Sequence, residues 1–343
     1  MINVSVVGAT GYAGEELMRL LSCHRDVKIV HAVSKSFAGK MMSEVYPNFS
    51  SQDISLEDMN AQRLAADSDI VFLCLPHGAS AAVVPALLNG GTRVIDLSAD
   101  FRYRDVQVFE AWYHTVHPAK ELLAESVYGL PELYRERIIT SKLVGNPGCY
   151  TTCAILALYP LLKAGVIESS GIIIDAKSGT SGAGRKDAVE FGFCEVSDNV
   201  KAYGVATHRH TSEIEQELSL AVGETVVVSF TPHLLPVKRG IISTMYATPK
   251  KGITPDDIQS AYAMYNYEPF AKVYAKGLPE LKHVVGSNNF AVGFVLDERV
   301  NRLVAVSCID NLIKGAAGQA IQNMNIMTGL PENEGLSDIG WYL

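Results

Sequence analysis

The residues Ile2-Asn3-Val4-Ser5-Val6-Val7-Gly8-Ala9-Thr10-Gly11-Tyr12-Ala13-Gly14, followed by Glu15-Glu16-Leu17-Met18-Arg19-Leu20-Leu21, decide the fold. Val4 to Val7 reads as a buried strand, and Leu17, Leu20 and Leu21 have helical spacing. Between them three glycines stand in the pattern GxxGxxG. Glycine lets backbone approach a pyrophosphate, and the helix N-terminus that follows attracts it. Strand, glycine turn and helix together predict a dinucleotide site formed by Gly8, Thr10, Gly11, Tyr12 and Gly14. A second strand, 28–33, ends in Ser34-Lys35-Ser36. An NAD site usually carries an acidic residue here for the ribose 2′-hydroxyl. Two hydroxyls and a cation suit a 2′-phosphate instead, which predicts NADP(H). Strands over 69–75 and 92–96 run into Pro76-His77-Gly78 and Leu97-Ser98-Ala99-Asp100-Phe101-Arg102. Ligands bind beyond the carboxyl ends of parallel strands, so Pro76 and Arg102 are candidates, Arg102 for a phosphate or carboxylate or else for a surface ion pair. His114 and His117 read as packing or surface residues.

The composition is that of an ordinary globular protein of 343 residues, 48% apolar and 19% charged. A net charge of −8 without any basic block argues against a nucleic-acid partner. No apolar run is long enough to span a bilayer and no signal segment is expected, so no membrane association is expected. Cysteines 23, 74, 149, 153, 194 and 308 form no CxxC pair, which predicts free thiols, a reducing cytoplasm and no structural zinc.

Further along, Gly145-Asn146-Pro147-Gly148-Cys149-Tyr150-Thr151-Thr152-Cys153 joins a strand-like run, 138–144, to an apolar run of helical length, 153–162. Cys149 is thereby expected in a tight turn at or just before a helix N-terminus, where the dipole favours a thiolate. That suits a nucleophile. The other reading is a buried structural cysteine. A strand over 172–176 leads into Lys177-Ser178-Gly179-Thr180-Ser181-Gly182-Ala183-Gly184-Arg185-Lys186, a small, flexible loop flanked by cations and suited to close approach of a ligand. In His208-Arg209-His210 an extended backbone would point both histidines one way. Thr211, Ser212 and Glu213 read as the capped start of a helix. The pair suits acid–base work for the thiol better than a metal, since no third ligand is near. Strands over 225–231, 240–248, 292–296 and 303–309 lack regular intervening helices. The expected fold class is therefore α/β: an N-terminal Rossmann-type doubly wound parallel sheet plus an α+β domain on a mostly antiparallel sheet. The expected division is 1–148, with a helical segment 312–343 packing back on it, and 149–311 as a catalytic and oligomerisation domain.

These stretches, with Tyr128–Glu132, Pro232–Leu234 and 310–325, resemble the N-acetyl-γ-glutamyl-phosphate reductases of the aspartate-semialdehyde dehydrogenase superfamily, in order over nearly the whole chain. Thr151 departs from the proline usual after the tyrosine and is expected to loosen the helix start slightly. Thr180 replaces a commoner valine. The resemblance implies an arginine-biosynthesis enzyme in which Cys149 attacks N-acetyl-L-glutamyl 5-phosphate, phosphate leaves, and NADPH reduces the thioester. It implies that His208 or His210 handles protons, with His208 preferred, Glu213 as its orienter and His210 toward substrate. Arg102 would bind the leaving phosphate, with Asn146 and Arg185 also toward substrate. Ser178, Gly179, Ser181, Gly182 and Asn311 would lie along the cofactor. The implied partners are a small acyl phosphate and phosphate, with a homodimer or homotetramer as the assembly. A relative acting on aspartyl or aminoadipyl phosphate, and an NADP-binding regulatory protein, are the competing readings.

Overall fold

The computed structural model describes residues 1–185 and 187–342. Lys186, expected as one of the cations flanking the glycine loop, and Leu343 lie outside the described residues. The chain forms two compact units, Met1–Pro147 with Ala316–Leu336, and Gly148–Gly315 with Ser337–Leu343. The segment belonging to the first unit is thus shorter than the expected 312–343. Residues from Ser337 onward belong to the second unit, held there by Asn288 N–H on the Ser337 carbonyl at 2.8 Å.

The first unit is built on β1 (Ile2–Val7), β2 (Val27–Val33), β3 (Leu56–Glu57), β4 (Ile70–Leu73), β5 (Arg93–Asp96), β6 (Val127–Tyr128) and β7 (Leu143–Gly145), in the spatial order β3-β2-β1-β4-β5-β7-β6. Every pairing is parallel. Parallel strands are buried on both faces, and β4 is accordingly fully buried as Ile-Val-Phe-Leu. The order reverses between β1 and β4, so their carboxyl ends open the crevice where such sheets take ligands. The helix Gly318–Thr328 is buried through Met327. Gln319 and Asn323 both donate to the Gly129 carbonyl, at 2.8 and 2.9 Å, and Asn325 meets His24 at 3.1 Å.

In the second unit β8 (Ile172–Gly179), β9 (Lys201–Ala202), β10 (Val228–Leu235), β11 (Ile241–Ala247), β12 (Ala271–Val273), β13 (Phe290–Asp297) and β14 (Arg302–Ile309) make a mixed sheet, ordered β12-β13-β14-β11-β8-β10-β9. Only β12 with β13 and β8 with β10 pair in parallel. The inward residues of β8, β10 and β11 alternate with half-buried ones. The helix Cys149–Lys163 packs on β11 and β14 and against the helix His210–Val222. On the outward side Ile173, Asp175, Thr231, His233, Tyr246 and Arg302 line a shallow concavity of about 480 Å³. The expected fold class holds in both halves.

Three local expectations fail. Residues 138–140 end a helix, Pro131–Thr140, and the strand is only Leu143–Gly145. Pro131 starts that helix, and a short apolar run alone cannot tell helix end from strand. The strand expected over 172–176 continues to Gly179, because Lys177 and Ser178 pair with Ile242 and Ile241 of β11. His208 to His210 is not extended. Arg209 is already α-helical (φ −58°, ψ −29°) and His210 begins the helix, so Thr211 and Ser212 lie inside it and cap nothing.

Gly145 shows how tightly the first sheet closes on the loop after β5. A Cβ there would stand 2.1 Å from the Phe101 carbonyl oxygen, with no side chain to yield. Gly145→Ala is expected to destabilise the protein by about 1–3 kcal/mol through overpacking. Urea unfolding checks this, and an unmoved midpoint would contradict it.

Candidate active site

In the first unit the glycine turn is a cradle without room for side chains. Gly8 has φ +84°, and a Cβ on it would lie 2.3 Å from the Cys74 carbonyl oxygen. A Cβ on Gly14 would lie 2.1 Å from the Gly8 oxygen. The helix Tyr12–Leu21 begins from Gly11 with no side-chain cap, so its leading N–H groups suit a phosphate. The Thr10 and Ser34 hydroxyls meet at 2.7 Å, both buried, while Lys35 and Ser36 are exposed at the end of β2. Close backbone, an uncapped helix start and a cation beyond β2 fit a dinucleotide carrying a 2′-phosphate.

The loops after β4 and β5 are tied together by Asp100, which accepts from Gly78 N–H at 2.7 Å and Ala81 N–H at 3.0 Å. This fixes the turn that carries Pro76. Burial, then the Asp100 charge, pushes Asp96 up to about 6. Burial pushes the Cys74 thiol up to about 12. Arg102 is buried rather than a surface residue, and it donates to the Leu97 carbonyl at 2.7 Å. With Arg104, Arg137, Ser126 and Tyr128 it lines a cavity of about 240 Å³. Asn146 is fully buried, donating to the Ala316 carbonyl and accepting from Asn323, both at 3.1 Å. Its amide is thus engaged within the unit. His117 is buried against Phe101 and Phe109, and His114 is an exposed left-handed helix end.

In the second unit Cys149 is the first residue of its helix, and Gly148 (φ −70°, ψ 156°) is the N-cap without a side-chain cap. The thiol is half-buried. Behind it lies Gly315, where a Cβ would come within 2.7 Å of the Cys149 Cβ. Glu213, fully buried, accepts at Oε1 from Gly148 N–H at 3.0 Å and from the Thr151 hydroxyl at 2.9 Å. The carboxylate therefore anchors the cysteine's turn, a part that sequence reasoning missed. The Thr151 hydroxyl stands between two acceptors, 2.7 Å from the Gly148 carbonyl and 2.9 Å from Glu213 Oε1, with one proton to give to either.

The two histidines come together as expected, with ring centroids 4.8 Å apart. Tyr150, Tyr203 and Phe230 stand edge-on to His208 at 5.4 to 5.7 Å. Burial, then the charge of Arg209, pulls His208 down to about 4, against a smaller upward pull from Glu213. It is neutral near pH 7. Its Nδ1 accepts from His210 N–H at 3.2 Å, which leaves the ring proton on Nε2. The Tyr203 hydroxyl donates to that of Tyr150 at 3.1 Å, and Tyr150 donates to the His233 carbonyl at 3.1 Å. Burial, with Cys149 among the lesser causes, pushes Tyr150 well above its ordinary range and Tyr203 up to about 12. Both remain protonated. Burial also pushes Cys153 up to about 11, its sulfur 3.0 Å from the Ser307 hydroxyl.

The small-residue loop is braced at 178–182. A Cβ on Gly179 would sit 2.7 Å from Arg239 N, and one on Gly182 would sit 2.7 Å from the Ser178 hydroxyl. Asn311 donates to the Ser181 hydroxyl at 3.0 Å and accepts from Gly240 N–H at 2.7 Å. Its amide clips the loop to the strand beside it. Arg185 is exposed. Among the described residues no group of three or more His, Cys, Asp or Glu is placed to hold a metal ion, and no helix is long and apolar enough to cross a membrane.

Residues 3–141 match the family model for the semialdehyde dehydrogenase NAD binding domain, and 149–311 match the semialdehyde dehydrogenase dimerisation domain. The chain is 48% identical, over the whole of both chains, to an N-acetyl-gamma-glutamyl-phosphate reductase of Acetivibrio thermocellus. It is 51% identical to the protein of that name from Pelotomaculum thermopropionicum, with 99% of each covered. Aspartate semialdehyde dehydrogenase II of Vibrio cholerae shares the fold at a TM-score of 0.72 and 18% identity, over 96% of this chain and 99% of that one. The chain belongs to the N-acetyl-gamma-glutamyl-phosphate reductase family of semialdehyde dehydrogenases.

Proposed function

We propose that this enzyme reduces N-acetyl-L-glutamyl 5-phosphate to N-acetyl-L-glutamate 5-semialdehyde and phosphate, in arginine biosynthesis. The observation that carries the reading is the half-buried Cys149 thiol at the first position of an uncapped helix, in the same unit as the paired His208 and His210, of which His208 is neutral. The thiolate attacks the acyl carbon, a C–S bond forms, and the C–O bond to phosphate breaks. Bound NADPH supplies the hydride that reduces the resulting thioester. Hydride addition leaves an oxyanion, to which the Nε2–H of a histidine donates a hydrogen bond; collapse re-forms the carbonyl, breaks the C–S bond and releases the aldehyde with the thiolate restored.

His208, carrying its ring proton on Nε2, is the hydrogen-bond donor to that oxygen, with His210 toward substrate. Glu213 holds the nucleophile's turn and lends His208 its charge. Arg102 receives the phosphate, with Arg185 toward the substrate, while Asn146, expected there too, is buried and holds the turn after β7 through Ala316 and Asn323. Gly8, Thr10, Gly11, Tyr12, Gly14, Ser34, Lys35, Ser36 and Pro76 hold the dinucleotide, and Ser178, Gly179, Ser181, Gly182 and Asn311 line its nicotinamide end. The active form is a homodimer or homotetramer in the cytoplasm.

The deciding assay is phosphate-dependent reduction of NADP⁺ with N-acetylglutamate semialdehyde, beside aspartate semialdehyde. Turnover of the acetylated aldehyde, lost in Cys149→Ala, is the expected outcome. Preference for the other aldehyde would overturn the substrate, and no turnover with either would overturn the reductase. Lys35→Ala should raise KM for NADP⁺ about tenfold or more, as expected for losing a charged contact, with KM for NAD⁺ little changed. Equal effects on both cofactors would remove Lys35 from the phosphate.

His208→Gln should lower kcat by about 10²–10⁴, the usual worth of a placed acid–base group. It should also change the acid stability. The imidazole ionises at about 4 in the folded chain and at 6.5 when unperturbed, so between these values the unfolded chain binds the proton first. Stability from this group is complete above pH 6.5 and is lost as pH falls toward 4. The variant's unfolding free energy should therefore fall less steeply across that window, and parallel slopes would refute the assignment.

A further inference from the structure

The turn behind Cys149 is held by a chain of contacts that ends on an exposed aromatic ring. Gly315 N–H bonds the Asp310 carbonyl at 2.9 Å, closing the turn that seats Gly315 against the Cys149 Cβ. The Asp310 side chain is fully buried and shapes the same turn, with Oδ1 accepting from Leu312 N–H at 2.8 Å and Ile313 N–H at 3.1 Å. Its other oxygen accepts from Gly286 N–H at 2.9 Å and pairs with Arg239 Nε at 3.2 Å. A buried carboxylate is tolerated only while it is paired and hydrogen-bonded.

Trp341 covers this ion pair. The Arg239 guanidinium lies 5.3 Å from the indole centroid. The indole also lies flat on Gly286, where a Cβ would come within 2.5 Å of the ring. That is the residue whose N–H bonds Asp310. The ring is pinned by its own backbone, with Trp341 N–H donating to the Val285 carbonyl at 2.8 Å. Even so, 56% of the residue is exposed. The contact to Arg239 and the exclusion of water from a charged pair are therefore what this indole contributes, rather than core packing.

We infer that Trp341 is a positioning residue for Cys149, acting through Arg239, Asp310 and the turn at 312–315. The inference rests on Cys149 being the nucleophile. With the indole gone, water reaches the ion pair, the turn relaxes, and the surface behind the Cys149 Cβ no longer holds the sulfur at the helix start.

The test is the rate at which iodoacetamide alkylates Cys149, followed by peptide mass at that residue, together with kcat and KM. It is run at a temperature where every variant remains folded. Trp341→Ala should slow alkylation and lower kcat about tenfold, within the range of a partly desolvated cation–π contact, with KM for NADP⁺ unchanged within about twofold. Trp341→Phe, which keeps an aromatic face, should restore most of both. Alkylation that is unchanged or faster in Trp341→Ala would overturn the inference, as would a Phe variant as impaired as the Ala one. If Trp341→Ala does not fold, Trp341→Leu is measured against the same criteria. Wild-type protein lacking turnover, with alkylation still slowed in the variant, would sink the reductase reading and leave this one standing.

Discussion

Glu213 is the constraint on which the turn carrying Cys149 depends. An ionised carboxylate removed from water costs several kcal/mol unless its oxygens are satisfied. Here Oε1 takes the Gly148 N–H and the Thr151 hydroxyl, both in the turn that begins the Cys149 helix. Those two donors lie three residues apart, on either side of the cysteine, and one oxygen serves both. The position of the sulfur at the helix start follows from that bond set.

Burial sets three of the other thiols apart. Cys74, Cys153 and Cys308 are pushed upward by burial, to about 12 and about 11 for the first two, so they stay protonated. Cys153 sits one turn after Cys149 on the same helix, yet it is fully buried and faces Ser307. The two tyrosines that enclose His208 are held protonated for the same reason.

What was legible in the residues was local. The glycine turn at 8–14 declares itself because a strand, three glycines and an amphipathic helix are contiguous, and the cysteine's turn because Pro147 and Gly148 precede an apolar run. The strands β10, β11, β13 and β14 were found by alternation, with ends displaced by up to four residues, while the short edge strands β9 and β12 were not foreseen. Roles that arise from distant pairing were not legible. Glu213 is 65 residues from Gly148, and Asn311 is 130 from Ser181, so no spacing could reveal one as an anchor and the other as a clip. The extended reading of His208 to His210 failed because a helix can start without a Ser or Thr cap when neighbouring packing fixes its first turn. Here the packing is against the Cys149 helix. Tyr203 and Phe230 gave no motif at all, since an aromatic beside a histidine is visible only once strands and loops are assembled.

One device serves both units. The helices Tyr12–Leu21 and Cys149–Lys163 each begin from a glycine in extended conformation, at φ −76°, ψ 164° and φ −70°, ψ 156°, and neither start is capped by a side chain. A serine or aspartate at either N-cap would use the first N–H groups and place its own oxygen where an anion belongs. Glycine leaves the groups and the dipole for something else. In the first case that is a diphosphate from outside the chain, which requires an open crevice and an amphipathic helix. In the second it is the residue's own sulfur, and the helix can be buried almost throughout. Under the proposed function, the same local sequence logic, a glycine immediately before a helix, serves a ligand in one unit and a nucleophile in the other, with burial of the helix that follows as the difference between them.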